Sequence, residues 1–268
     1  MVSTEIHPTA VVDPGASIGE DVRIGPYSLI GSDVVLGDNC EIHGHVVIDG
    51  RTRIGSGTKI FPFASIGLPP QDLKYNGEPS ELEIGANNVI REHVTMNPGT
   101  EGGGMLTKIG DRCLFMVGTH VGHDCQLGDS VIMANNATLA GHVQVMDYAV
   151  FGGLSAVHQF VRIGRYAMVG GMTGVERDVI PFGSVVGDRA RLSGINLVGM
   201  KRRGLSREEI SDVRKAYRLL FASEGTFQER LAEVAKEFTH SASVMEMVDF
   251  IQADSSRKIC QPGEVGEV

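Results

Sequence analysis

An aliphatic side chain returns at every sixth position from the start of the chain: Ile6, Val12, Ile18, Ile24, Ile30, Leu36, Ile42, Ile48, Ile54, Ile60 and Ile66. Four residues after each comes a small or β-branched side chain, among them Ala10, Ala16, Val22, Ser28, Val34, Cys40, Val46, Thr52, Thr58 and Ala64. The phase resumes at Ile84, Ile90 and Met96, slips by one residue, and runs again from Ile109 through Phe115, Val121, Leu127, Met133, Leu139, Val145, Phe151, Val157, Ile163 and Val169 to Val175. A period of six excludes an amphipathic helix, whose period is 3.6. It predicts short strands, each followed by a turn. Three hexads close one triangular coil, and coils stack as parallel strands about 4.8 Å apart. The aliphatic fills the interior of the prism, and the small residue fits where two walls converge. One coil cannot bury its own face, so stability comes from stacking against neighbours.

Two Pro- and Gly-rich stretches interrupt the repeat, at 67–83 and 97–108. They are expected to leave the prism as loops, and loops on a rigid scaffold often carry function. Beyond Pro181 the repeat fades. Ser206 with Glu209 forms a capping box that opens a helix, Thr226 with Glu229 opens a second, and a third is expected over about 241–253. The expected organisation is therefore mainly β: a β-helix over 1–191 and a small helical domain over 192–268, with a frayed tail from Asp254.

Composition fits this picture. Glycine accounts for 35 of 268 residues and tryptophan is absent, which suits many tight turns around medium-sized aliphatics. A net charge of −9 argues against sequence-independent nucleic-acid binding. The four cysteines form no C-x-x-C pair and read as small core residues of a reducing compartment. The first ten residues have neither the basic nor the apolar region of a signal peptide, so the expected location is cytoplasmic.

The histidines concentrate the chemistry. His120, His123, His142 and His158 fall within neighbouring coils, and an 18-residue coil places Gly141, beside His142, next to His123 and Ala140 next to His158. All four are predicted on one edge of the prism and outside its interior. Three readings fit such a cluster: exposed surface residues, a zinc site as in gamma-class carbonic anhydrases, or a general base for acyl transfer. The neighbouring Asp124 favours the base, because a carboxylate orients an imidazole and supports its protonated form. A purely structural β-helix that binds partners through its loops is the non-enzymatic alternative.

The segments QDLKYNGEP (71–79), THVGHDC (119–125), ANNATLAGHV (134–143), AVHQF (156–160) and NLVGMKRRG (196–204) resemble the UDP-N-acetylglucosamine O-acyltransferases of lipid A biosynthesis, the LpxA family. The likeness covers nearly the whole chain. It implies a left-handed β-helix, a homotrimer with sites between prisms, and transfer of a 3-hydroxyacyl group from acyl carrier protein to the sugar 3-hydroxyl, without cofactor or metal. His123 matches the general base, Asp124 its orienting carboxylate, and the Gly141 N–H the oxyanion donor. Asp72 and Lys74 match contacts to the sugar nucleotide, while His120, His142 and His158 match residues lining the cleft. Gln159, Asn196, Arg202 and Arg203 match nucleotide and phosphate contacts. Gly171 matches a ruler of acyl-chain length. Arg189, 18 residues on, stands where the family often has His, and Val198 stands where some members have an acidic residue; both are departures. An acidic carrier needs a basic landing patch, for which Arg162, Arg165 and Arg177 are candidates.

Overall fold

The computed structural model describes residues 4–263. It is a parallel β-helix of the left-handed class that the resemblance implied, extended by four helices. Among the described residues, three walls run along the prism. Wall one has eleven strands, from Glu5–Ile6 to Arg191–Ile195. Wall two has nine, from Val11–Val12 to Gly174–Val175. Wall three has eight, from Ser17–Ile18 to Arg162–Ile163. Most strands are two residues long, with the first residue facing out and the second buried. From the second coil on, the predicted aliphatics are those buried residues, and Val22, Cys40, Cys125 and Ala149 fill the converging positions with no exposure. On the open first coil Ile6 is 46% exposed and Val12 and Ile18 are only half-buried, since no described residue stacks beneath them.

Corners are made by single residues in the left-handed region. Asp124, His142 and Phe160 have φ of 59°, 62° and 64°, and occupy the corner between walls two and three on successive coils. Tyr148, Tyr166 and Phe182 do the same between walls three and one. Side chains other than glycine occupy this region at a cost of roughly 1–2 kcal/mol. Here the corner N–H bonds the coil below, as His142 does to the His123 carbonyl, and the rings stack, as His142 does on Phe160 at 4.4 Å.

The two interruptions are shorter than expected. Glu81–Ile84 and Leu106–Ile109 rejoin wall three, pairing with each other, and the first of them also pairs with Arg51–Ile54, because Leu82, Ile84, Thr107 and Ile109 can all point inward. The true excursions are 67–80 and 97–105. The final coil is also short: Met168 pairs with Ser184, a step of 16 residues instead of 18. Arg189 is therefore not one regular coil beyond Gly171, which corrects the sequence alignment of the two.

The expected division at residue 192 falls inside the last strand, which pairs antiparallel with Gly183–Val186. Helix α1 (Leu197–Arg202) follows, then α2 (Arg207–Leu220), α3 (Phe227–Glu237) and α4 (Ala242–Gln252). Both capping boxes form. The short α1 was not predicted, so Arg202 and Arg203 end a helix and do not merely precede one. The tail is not frayed as far as Gly263: Cys260 is buried, and Lys258 and Cys260 pair with Asp178.

Candidate active site

His123 opens the turn out of wall two, and only 8% of it is exposed. Its Nδ1 lies 2.7 Å from Asp124 Oδ2. A carboxylate accepts, so Nδ1 carries the proton and Nε2 keeps a free lone pair. That Nε2 sits 4.0 Å from Asp72 Oδ2 on the 67–80 loop, a gap beyond a hydrogen bond. Asp124 is held by the other loop. The Thr100 N–H donates to Oδ1 at 2.8 Å and the Thr100 hydroxyl to Oδ2 at 2.6 Å, while the Asp124 N–H donates to Thr107 Oγ1 at 2.7 Å. The loop can close this tightly because position 103 is glycine: a Cβ there would lie 2.0 Å from the Asp124 carboxyl carbon.

Gly141 lies one coil from His123. A Cβ on it would sit 2.4 Å from His123 Cε1 and 2.5 Å from Nε2, so the imidazole occupies the space a side chain would need. The Gly141 N–H donates to no other group among the described residues. His142 meets the His123 ring edge-on at 4.9 Å, and its Nδ1 is 3.8 Å from Asp124 Oδ2. Burial lowers the His142 pKa, with Asp124 opposing that shift. His120 projects from wall two and bonds Thr95 Oγ1 at 2.7 Å; burial, then His123, lowers its pKa. Lys74 is exposed on the loop that carries Asp72. His158 and Gln159 follow on the next coil, where Arg257 of the tail meets them.

His123, Asp124 and His142 are also the one acidic or imidazole trio among the described residues whose donor atoms approach within 4.8 Å of one another. Two of these donor atoms are already engaged within the chain. His123 Nδ1 and Asp124 Oδ2 are spent on each other, and Oδ2 also takes the Thr100 hydroxyl.

Two profiles match the chain. Residues 178–260 match the second domain of UDP-N-acetylglucosamine O-acyltransferase, and residues 15–50 and 106–141 match bacterial transferase hexapeptide repeats. The acyl-[acyl-carrier-protein]--UDP-N-acetylglucosamine O-acyltransferase of Rickettsia canadensis is 54% identical over 97% of this chain and 98% of its own. The enzyme of the same name from Caulobacter vibrioides is 54% identical over 96% and 98%. The chain belongs to this family. Among solved structures, LpxA from Acinetobacter baumannii superposes with a TM-score of 0.91 at 44% identity, covering 95% of this chain and 99% of that one. UDP-N-acetylglucosamine acyltransferase from Campylobacter jejuni gives 0.91 at 38%, covering 97% and 100%.

Not every residue that the LpxA resemblance assigned lies at the His123 corner. Asn196 caps α1, accepting from the Gly199 N–H at 2.8 Å and donating to the Tyr166 carbonyl at 2.9 Å. The Arg203 guanidinium lies over the Tyr148 ring at 4.9 Å, and Arg202 is exposed beside it. These three, with Val198, belong to the corner between walls three and one. Gly171 is exposed and does not adopt the left-handed conformation of its turn, which falls to Met172. The turn therefore does not require a glycine at 171. Arg189 pairs with Glu176 at 2.5 Å. Two of the three candidate carrier contacts are engaged inside the chain. Arg162 pairs with the fully buried Asp178 at 2.7 Å, and Arg165 with Glu246 of α4. Only Arg177 of that trio is exposed. Sequence reasoning missed Thr100, Gly103, Thr107 and Arg257. The Gly102-Gly103-Gly104 run was the available signal for the first two, since consecutive glycines in an insertion permit close backbone approach.

Proposed function

We propose that this chain transfers a 3-hydroxyacyl group from acyl carrier protein to the 3-hydroxyl of UDP-N-acetylglucosamine, the first step of lipid A biosynthesis, with His123 as general base. The observation that carries the reading is the free Nε2 of a ring whose Nδ1–H is fixed on Asp124. In this reading Nε2 takes the proton of the sugar 3-hydroxyl as its oxygen attacks the thioester carbonyl. The oxyanion of the tetrahedral intermediate meets the Gly141 N–H. Collapse breaks the carbon–sulfur bond, and the imidazolium returns its proton to the departing carrier thiolate. Asp124 supports the imidazolium, while His142 and His120, their pKa values lowered, stay neutral beside it.

The same reading makes the working unit a homotrimer. The outer faces of wall two (Val11, Leu29, Val47, Ser65, Thr95, His120, Thr138, Ala156 and Gly174) carry no Asp, Glu, Lys or Arg, and the later coils of wall one present Val89, Leu114, Ile132, Val150 and Met168. Wall three instead presents Arg53, Glu83, Lys108, Gln126 and Gln144. Walls one and two share a corner, so a closed ring packs wall two of one copy on wall one of the next. Their far edges then meet, bringing Asn196, Arg202 and Arg203 of one copy to His123 of another. Arginine forks suit the diphosphate there. Leu73, fully exposed on the Asp72 loop, is placed to touch the neighbour.

The test is a mass-resolved transfer assay with UDP-N-acetylglucosamine and a series of 3-hydroxyacyl carrier proteins. Acylated sugar from the wild type, with His123→Ala lower by about 10²-fold or more, supports reaction and base together. Full activity in His123→Ala rejects the base, and no product with any chain rejects the acceptor.

A further inference from the structure

The chain returns to the prism after α4 as a strap held at both sides. Ser255 Oγ donates to Asp178 Oδ2 at 2.7 Å. The Asp178 N–H donates to the Lys258 carbonyl at 2.9 Å, and the Cys260 N–H to the Asp178 carbonyl at 2.7 Å. Asp178 has no exposure and also takes Arg162, so the anchor is internal to the fold. Burial pushes the Cys260 thiol up to about 12, which leaves it a packing group.

Between these attachments stands Arg257. Its Nη2 lies 2.8 Å from His158 Nδ1, and its Nε donates to the Gln159 carbonyl at 3.2 Å. A guanidinium has donors and no acceptor, so His158 Nδ1 must accept. The neutral ring then carries its proton on Nε2, on the side away from the strap. A competing arrangement exists within His158's own neighbourhood. Its Nδ1 is 3.4 Å from the Gln159 carbonyl, a contact that needs the opposite tautomer, with Nδ1–H donating. The Arg257 contact is shorter by 0.6 Å, and Arg257 already occupies that carbonyl.

His158 follows Val157, which pairs with Leu139 on the coil below, so His158 sits over Ala140 and beside Gly141. We propose that Arg257 is a positioning residue: it locks His158 as the Nε2–H tautomer, so that this ring donates a hydrogen bond to an oxygen of the bound sugar nucleotide next to Gly141. The role rests on the acyl-transfer reading above, in which His158 lines the cleft. Without Arg257 the ring turns to the Gln159 carbonyl through Nδ1–H and presents an acceptor where a donor is needed.

Two measurements on the full chain test this. The first is 15N NMR of histidine-labelled protein, with the His158 signals assigned by their loss in His158→Asn. The wild type is expected to show a protonated Nε2 and an acceptor-type Nδ1. Arg257→Met, which keeps the aliphatic stem and removes the donors, is expected to shift the proton toward Nδ1. An unchanged Nε2–H ring in Arg257→Met overturns the proposal, as does an Nδ1–H ring in the wild type. The second is a double-mutant cycle on kcat/KM. Arg257→Met and His158→Asn are each expected to lose roughly ten-fold, and the double variant to be no worse than His158→Asn alone. Additive losses mean that Arg257 acts without His158, and overturn the idea. If Arg257→Met does not fold, Arg257→Lys keeps a donor to Nδ1 and must keep the wild-type tautomer. The NMR result does not depend on turnover. An inert wild type with the expected tautomer thus sinks the acyl-transfer reading and leaves the tautomer lock standing.

Discussion

At the scale of single residues, the site is built by exclusion of atoms as much as by their presence. The His123 ring fills the volume above Gly141, so Gly141→Ala must push the imidazole off the Asp124 hydrogen bond or tilt the coil. Near-attack geometry is lost for about 1 Å of displacement at a cost near 10² in rate. Gly141→Ala is therefore expected to lower kcat by about that factor while circular dichroism stays unchanged; a melted spectrum would make the loss one of folding. His120 supplies a second prediction, on stability. Burial lowers its folded pKa below the ordinary value of 6.5, so the unfolded chain takes up a proton first as pH falls. Unfolding then binds more protons than folding retains, and stability drops as pH falls from about 6.5 toward the folded pKa. Urea midpoints at about pH 7.5 and about pH 5.5 should separate more in the wild type than in His120→Gln. Equal separations would mean that this ring is not linked to folding.

At the scale of elements, coils were legible and departures from coils were not. The six-residue period located every wall, because one residue in each hexad must be buried whatever the neighbours are. It also located the corner chemistry: Gly141 lies one coil above His123, with His142 above Asp124, as an 18-residue step requires. Loops and tail carry no period. Nothing in residues 97–105 says that Thr100 will fold back onto Asp124, since that contact is set by the depth of a corner 24 residues away. The short final coil was hidden for the same reason, and with it the true relation of Gly171 to Arg189. The late arginines show what such misplacement does to a functional guess. Arg162 looks like a free cation on a strand, yet its partner Asp178 has no exposure. Removing one member of a buried pair costs about 3–5 kcal/mol. Arg162→Glu should therefore lower the thermal midpoint strongly, whereas Arg177→Glu should leave it unchanged and raise the KM for the carrier-bound donor. An unaltered KM in Arg177→Glu removes that residue from the carrier surface.

At the scale of the whole molecule, the groups that the proposed reaction calls on stand at two different corners of one chain. His123 and Asp72 stand at the corner between walls two and three; Arg203, over Tyr148, stands at the corner between walls three and one. A prism wall lies between them, so a single copy cannot offer base and arginine fork to the same sugar nucleotide. In the proposed ring each site would take the base from one copy and the fork from the next, and this arrangement has a countable consequence. Take two inactive chains, His123→Ala and Arg202→Ala/Arg203→Ala, coexpressed in equal amounts with separate affinity tags. A working site needs its His from the arginine-deficient chain and its arginines from the His-deficient one, and random closed trimers supply that combination at about one site in four. The coexpressed population is thus expected to regain about a quarter of wild-type activity, and purified mixed trimers about a third, although each parent alone has almost none. If activity does not return in purified mixed trimers, base and fork serve the same copy's site, and the shared-site reading fails. If it returns only in the fraction carrying both tags, the catalytic unit is the contact between two chains.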